Sequence, residues 1–167
     1  MIPTIETERL VLRGPTADDL EDALAMWSDP LVTRHIGGAV FNEEDVWSRI
    51  MKYLGHWQLL GFGTWIVRDR AGAFVGEVGL FDYRRDITPR LEIPEVGWAL
   101  LRSAQGRGYA TEAVGRAMAW GRERGFTTFT CMIDPENIAS LRVASKCGFR
   151  EIARTTYRGD RTVVLRA

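Results

Sequence analysis

Two cysteines in 167 residues, Cys131 and Cys147, leave no material for a disulfide framework, and no histidine stands beside either at zinc-ligand spacing. Both read as buried thiols. Histidine is equally scarce: His35 and His56 lie far apart with no metal motif around them, so no metal site is expected. An excess of either charge is also missing. Lysine plus arginine and aspartate plus glutamate each number 22, so the formal net charge is zero and no global field draws the chain to nucleic acid or to an anionic membrane surface. No apolar run approaches the roughly 20 residues that span a bilayer, and Met1-Ile2-Pro3-Thr4 has no basic start leading into an apolar stretch. A cytoplasmic protein without nucleic-acid or membrane partners is expected. No repeat at a fixed period and no low-complexity segment interrupts the chain.

What is present is ordinary globular material, 46% hydrophobic and 26% charged, at a length suited to one domain over residues 1–167. Glu8 to Arg13 reads as a first strand ending at Gly14-Pro15, and Thr16 with Asp18 and Asp19 opens a helix that runs to Trp27 before Asp29-Pro30 stops it. Asn42 caps a second helix that frays near Leu60. Thr64 to Arg68 and Phe74 to Phe81 are β-branched and aromatic runs joined by Asp69-Arg70-Ala71-Gly72, a hairpin. A strand from Glu95 to Leu101 follows, in which Gly97 implies a bulge or a close ligand. A long helix then spans Gly108 to about Arg124, with Ala110, Ala113, Val114 and Ala117 as a close-packing face. Thr127 to Ile133 is a strand, Asn137 opens a helix ending at Gly148, and Phe149 to Tyr157 with Arg161 to Leu165 form a closing hairpin. This order predicts an α+β fold around one mixed, mostly antiparallel sheet of about six or seven strands with about four helices.

Chemistry concentrates in Leu101 to Ala113, where a strand end, a glycine-containing turn and a helix start follow one another. The first N–H groups of a helix lack intrahelical acceptors, the helix dipole adds partial positive charge, and Gly106 and Gly108 let backbone approach an anion. A diphosphate suits that geometry. An NTPase loop would need Gly-Lys-Ser/Thr and a dinucleotide fold an early Gly-x-Gly-x-x-Gly, and neither occurs.

Gln105-x-x-Gly108-x-Ala110 resembles the Q/R-x-x-G-x-G/A signature of the GNAT superfamily of acyl-CoA-dependent N-acyltransferases. Glu8-Arg9-Leu10-Val11-Leu12-Arg13, Gly79, Gly108-Tyr109-Ala110-Thr111-Glu112-Ala113, and Asn137-x-x-Ser140 followed by Lys146-Cys147-Gly148-Phe149 resemble its RimJ/RimL branch, over nearly the whole chain. The resemblance implies a GNAT-like fold and acetyl transfer from acetyl-coenzyme A to a primary amine, a protein or peptide N-terminus or a small molecule, by a monomer or homodimer. It implies a diphosphate held by Gln105, Gly106, Arg107, Gly108, Tyr109, Ala110 and Thr111, with the pantetheine arm along Trp98, Ala99 and Leu100 and bonded by Asn137. Glu95 is implied as general base, with Glu92 and Glu77 as substitutes. The tyrosine many members use as acid is replaced by Ala144, which turns attention to Ser140 at the coenzyme sulfur. Trp27, His35, Trp57 and Phe62 are candidates for the acceptor pocket. The alternative is an acyl-CoA-binding regulatory module that has lost catalysis.

Overall fold

The computed structural model describes residues 1–167 and contains one eight-stranded sheet in the order β1-β2-β3-β4-β5-β6-β8-β7. The strands are β1 (Ile5–Glu6), β2 (Leu10–Arg13), β3 (Thr64–Asp69), β4 (Phe74–Phe81), β5 (Glu95–Leu100), β6 (Thr130–Ile133), β7 (Arg150–Tyr157) and β8 (Asp160–Arg166). Every neighbouring pair is antiparallel except β5 and β6, which run parallel. The helices are α1 (Leu20–Trp27), α2 (Pro30–Thr33), α3 (Glu43–Leu60), α4 (Tyr109–Glu123) and α5 (Ile138–Lys146). No helix is long and apolar enough to cross a membrane.

Period-2 alternation along the strands divides the core between the two faces. Leu10, Leu12, Trp65, Val67, Val78 and Leu80 pack with the small-residue face of α4, where Ala113, Val114 and Ala117 are buried. Ile66 and Ala99 point the other way, into a cluster with Ala23, Met26 and Trp27 of α1 and Val46 and Ile50 of α3. That face carries the chemistry below. Glu77 pairs in register with both Ile66 and Ala99, and Glu95 sits four residues before Ala99 on the same strand. Both carboxylates therefore share a face.

The expected α+β fold with a mixed, mostly antiparallel sheet is the one observed, with one more strand and one more helix than the sequence pattern conveys. The extra strand is β1, whose two residues pair with Val11 and Leu12 across a turn at Glu8-Arg9, residues expected inside a strand. The extra helix is α2. Asp29-Pro30 does end α1, but the Asp29 side chain accepts from the Leu31 amide and Pro30 takes the first helical position, so the stop is also a start. Asn42 caps α3 as expected, in a reciprocal capping box with Asp45. Gly97 is not at a bulge: β4 and β5 stay in register throughout, and a Cβ at 97 would lie 2.6 Å from the Phe81 ring. The irregularity falls instead between Val67 and Arg68.

Candidate active site

After β5 a single 3-10 turn, Arg102–Ala104, brings the chain round to α4. The Gln105 side chain donates to the Leu100 carbonyl at 3.1 Å and holds the turn against the strand end. Gly106 and Gly108 adopt φ of 74° and 81°, values that a side chain disfavours. With the backbone so turned, the amides of residues 106–111 donate to no acceptor within the protein. The turn is clamped from outside. Arg9 donates to the Arg107 carbonyl at 2.9 Å and to Glu112 at 2.7 Å, Thr7 adds a bond to Glu112 at 2.5 Å, and the Tyr109 ring carries Arg9 and Arg107 each 4.8 Å from its centre. A run of unpaired donors at a helix start, preorganised by its neighbours, fits a phosphate or diphosphate group. Ala110 and Thr111 complete the first turn.

Beside this turn the sheet opens. β5 and β6 share one registered pair, Glu95 with Thr130, after which β6 is bonded to β8 and the rest of β5 has no neighbour on that side. Trp98, Ala99 and Leu100 thus offer a strand edge to an extended ligand, in the manner of an added strand. The gap widens into a cleft of about 940 Å³.

Two buried carboxylates face the cleft. Glu95 accepts from Arg85 Nε at 2.7 Å, and burial pushes its pKa up further than the Arg85 guanidinium pulls it down. Glu77 accepts from the Tyr53 hydroxyl at 2.6 Å and from Trp27 Nε1 at 3.2 Å, with Arg49 at 3.9 Å. Its pKa is raised as well, by burial. Glu92 lies elsewhere. It is half exposed, pairs with Arg166 at 2.9 Å, and borders a smaller depression that shares Tyr83, Arg85 and Glu95 with the cleft.

Ser140 and Asn137 line the cleft from the start of α5, where Asn137 Oδ1 accepts from the Ser140 amide at 3.1 Å. The carbonyl of Asn137 is thereby used in capping, and its amide NH2 and the Ser140 hydroxyl make no bond to the protein. Ala144 is fully buried in the core.

Of the four aromatic and histidine candidates for the acceptor pocket, the fold brings two to the cleft. Trp27 lies stacked on Phe41, and His35 pairs with Asp134 at the end of β6 at 2.6 Å. Trp57 and Phe62 are core residues on the α4 side: Trp57 meets Trp65 and Trp120 edge to face and donates to the Thr64 carbonyl, and Phe62 packs on Phe126. Neither reaches the cleft. Arg49, Tyr53, Tyr83, Arg85 and Tyr157 do reach it and escape sequence reasoning. The four-residue spacing of Arg49 and Tyr53 on α3 signals only a shared helix face, and Arg85 lies in an irregular polar segment with no pattern to read.

Known proteins carry the same organisation. Residues 9–150 match the family model described as Acetyltransferase (GNAT) domain. The N-acetyltransferase YnaD of Bacillus subtilis is 31% identical over 147 residues, which is 87% of this chain and 82% of that one. YkkB of the same organism is 37% identical over 90 residues, 53% of this chain and 51% of that protein. The acetyltransferase from Agrobacterium tumefaciens str. C58 superposes with a TM-score of 0.86 at 25% identity, covering 100% of this chain and 95% of that one. RimL, a ribosomal L7/L12 alpha-N-protein acetyltransferase solved with coenzyme A, shares the fold with a TM-score of 0.79 at 15% identity, over 99% of this chain and 97% of that one. With a turn of unpaired amides at α4, a sheet split beside it and a family match over most of its length, the chain belongs to the GNAT family and is an acyl-CoA-dependent N-acetyltransferase.

Proposed function

We propose that the enzyme, acting as one catalytic domain over residues 1–167, transfers the acetyl group of acetyl-coenzyme A to a primary amine by direct attack in a ternary complex. The observation that carries this reading is the run of unpaired amides at residues 106–111 beside a strand edge that leads to a buried carboxylate. The cofactor supplies an acetyl thioester, activated toward amines by a good leaving group. Coenzyme A in the RimL structure supports the choice of cofactor. The motif resemblance to the RimJ/RimL branch, set beside that shared fold, supports a place near that branch.

The chain's residues divide the work. The amides from Gly106 to Thr111 bind the diphosphate, and the edge of Trp98 to Leu100 with the Asn137 amide orients the arm along the cleft. Glu95 is the general base. It takes a proton from the incoming ammonium or from the nitrogen as the C–N bond forms, directly or through a water, and its raised pKa brings it nearer the working range of a base. A main-chain N–H near Trp98 or Ala99 donates to the carbonyl oxygen as negative charge develops there. When the C–S bond breaks, the Ser140 hydroxyl gives its proton to the sulfur. Glu77, held by two hydrogen-bond donors and the nearby Arg49 charge, positions α1 and α3 against the sheet.

The test is a thiol-release assay with acetyl-coenzyme A over a panel of primary amines, wild type beside Glu95→Gln. Acetylated product with wild type and its loss in the variant is the expected result. Tight cofactor binding without turnover of any amine overturns the enzymatic reading in favour of a regulatory module.

A further inference from the structure

The acceptor end of the cleft gathers more positive charge than its carboxylates neutralise. Arg49 faces Glu77 at 3.9 Å, Arg85 holds Glu95 at 2.7 Å and Arg161 pairs with Glu136 at 2.8 Å. Lys52 and Arg158 line the same cleft without an ion-pair partner. Asp160, also without one, lines the cleft as the exposed first residue of β8 and offsets one of these two charges.

These cations are arranged, not scattered. Lys52 Nζ lies 4.7 Å from the centre of the Tyr83 ring and Arg85 lies 5.0 Å from it. The Tyr157 ring in turn carries Arg85 at 5.3 Å and Arg158 at 5.3 Å. Two aromatic rings thus assemble three cations drawn from α3, from the segment after β4 and from the β7–β8 turn. Cation–π contact orients a charge but does not cancel it. Partial desolvation lowers the Lys52 pKa, and the Arg49, Arg85 and Arg158 charges lower it further against the opposing charge of Glu77. Such a row attracts an anion and repels an acceptor that is cationic throughout.

The row ends beside Glu95, and the mouth of the cleft is bridged. His35 pairs with Asp134 at the end of β6, and the Phe41 amide donates to the Trp27 carbonyl, so the segment between α2 and α3 is tied down at both ends. A cleft of about 940 Å³ has the size of a small-molecule site.

We propose that the acceptor is a small primary amine that also carries a carboxylate or phosphate, the anion held by Lys52 and Arg158 while the amine faces Glu95. The proposal rests on the amine-transfer reading above and narrows its substrate class. An ammonium at Glu95 and an anion on the cationic row complement both charges of such a molecule, and charge-assisted hydrogen bonds to Lys and Arg are among the stronger ones available.

The experiment compares matched acceptors by kcat/KM with acetyl-coenzyme A held saturating. Glycine, β-alanine and 4-aminobutanoate are each set beside their amides, O-phosphoethanolamine beside ethanolamine, and spermidine and a short peptide with a free N-terminus complete the panel. At least one anionic amine is expected to exceed its neutral partner by roughly tenfold or more, and the carboxylate and phosphate arms tell which anion is meant. Lys52→Gln and Arg158→Gln, both exposed positions, should collapse that ratio through the acceptor KM, and Lys52→Arg should restore part of it. Preference for neutral amines, spermidine or the peptide overturns the proposal while leaving amine transfer intact, and so does a ratio untouched by both variants. If no amine is acetylated although acetyl-coenzyme A raises the melting temperature, the enzymatic reading falls and this inference with it.

Discussion

The α4 turn and the cleft beside β5 are built by opposite means. At the α4 turn the groups proposed to bind are main-chain amides, set by two glycines and a helix start, and the side chains around them, Arg9 above all, hold the turn in place. At the acceptor end the backbone recedes and the working groups are side chains from α1, α3, β4, β5 and the segments that join them. A main-chain site depends on local geometry and tolerates changes in side-chain identity. A side-chain site depends on long-range contacts and can be re-specified one residue at a time.

Within the cleft, the proposed roles of the two buried carboxylates separate function from support. Glu95→Gln keeps the shape of the side chain and removes its basicity, and should lower kcat by about 10²- to 10⁴-fold with the melting temperature little changed. Steady-state kinetics beside a melting curve measures both. Glu77→Ala should act on the fold: it strands the Tyr53 hydroxyl, Trp27 Nε1 and Arg49, and should cost about 3 kcal/mol in a denaturant titration. If Glu77→Gln instead abolishes turnover and Glu95→Gln does not, the two roles are exchanged.

The turn responds more gently. Gly106→Val forces a β-branched residue into a left-handed backbone conformation, at a cost of about 1–2 kcal/mol, so the KM for acetyl-coenzyme A should rise about tenfold. Arg85 sharpens the contrast through pH. A base works deprotonated, and burial raises the Glu95 pKa above its ordinary value of 4.5, so the acid limb of kcat/KM should lie above the usual carboxylate range. Arg85→Gln removes the opposing pull and should move that limb to still higher pH. The smallest effect is expected of Ser140→Ala, below about tenfold in kcat, because a thiol of ordinary pKa near 8.5 leaves with little assistance.

The same difference explains what could be read in the sequence. The α4 turn is local: Gln105, Gly106 and Gly108 lie within a few residues of the helix they open, and their spacing carries the conformation. Helix α3 and the β3–β4 hairpin were legible for the same reason, through the Asn42 cap and the Gly72 turn. The acceptor wall is not local. Arg85 meets Glu95 only because an irregular segment folds back, and Tyr157 joins them from the far end of the chain. Trp57 could not be told from a pocket residue, since an aromatic stripe on α3 suits either face until the sheet decides which side it covers, and Phe62, just past the helix end, carries no periodicity to place it. Glu77, Glu92 and Glu95 look alike in sequence, and strand register and burial separate them.

The binding claim at the α4 turn can be tested atom by atom. Coenzyme A titrated into ¹⁵N-labelled protein should produce its largest amide shifts at residues 106–111, with smaller shifts along Trp98 to Leu100. Amide signals at the turn that stay fixed while the ligand binds elsewhere would contradict the account.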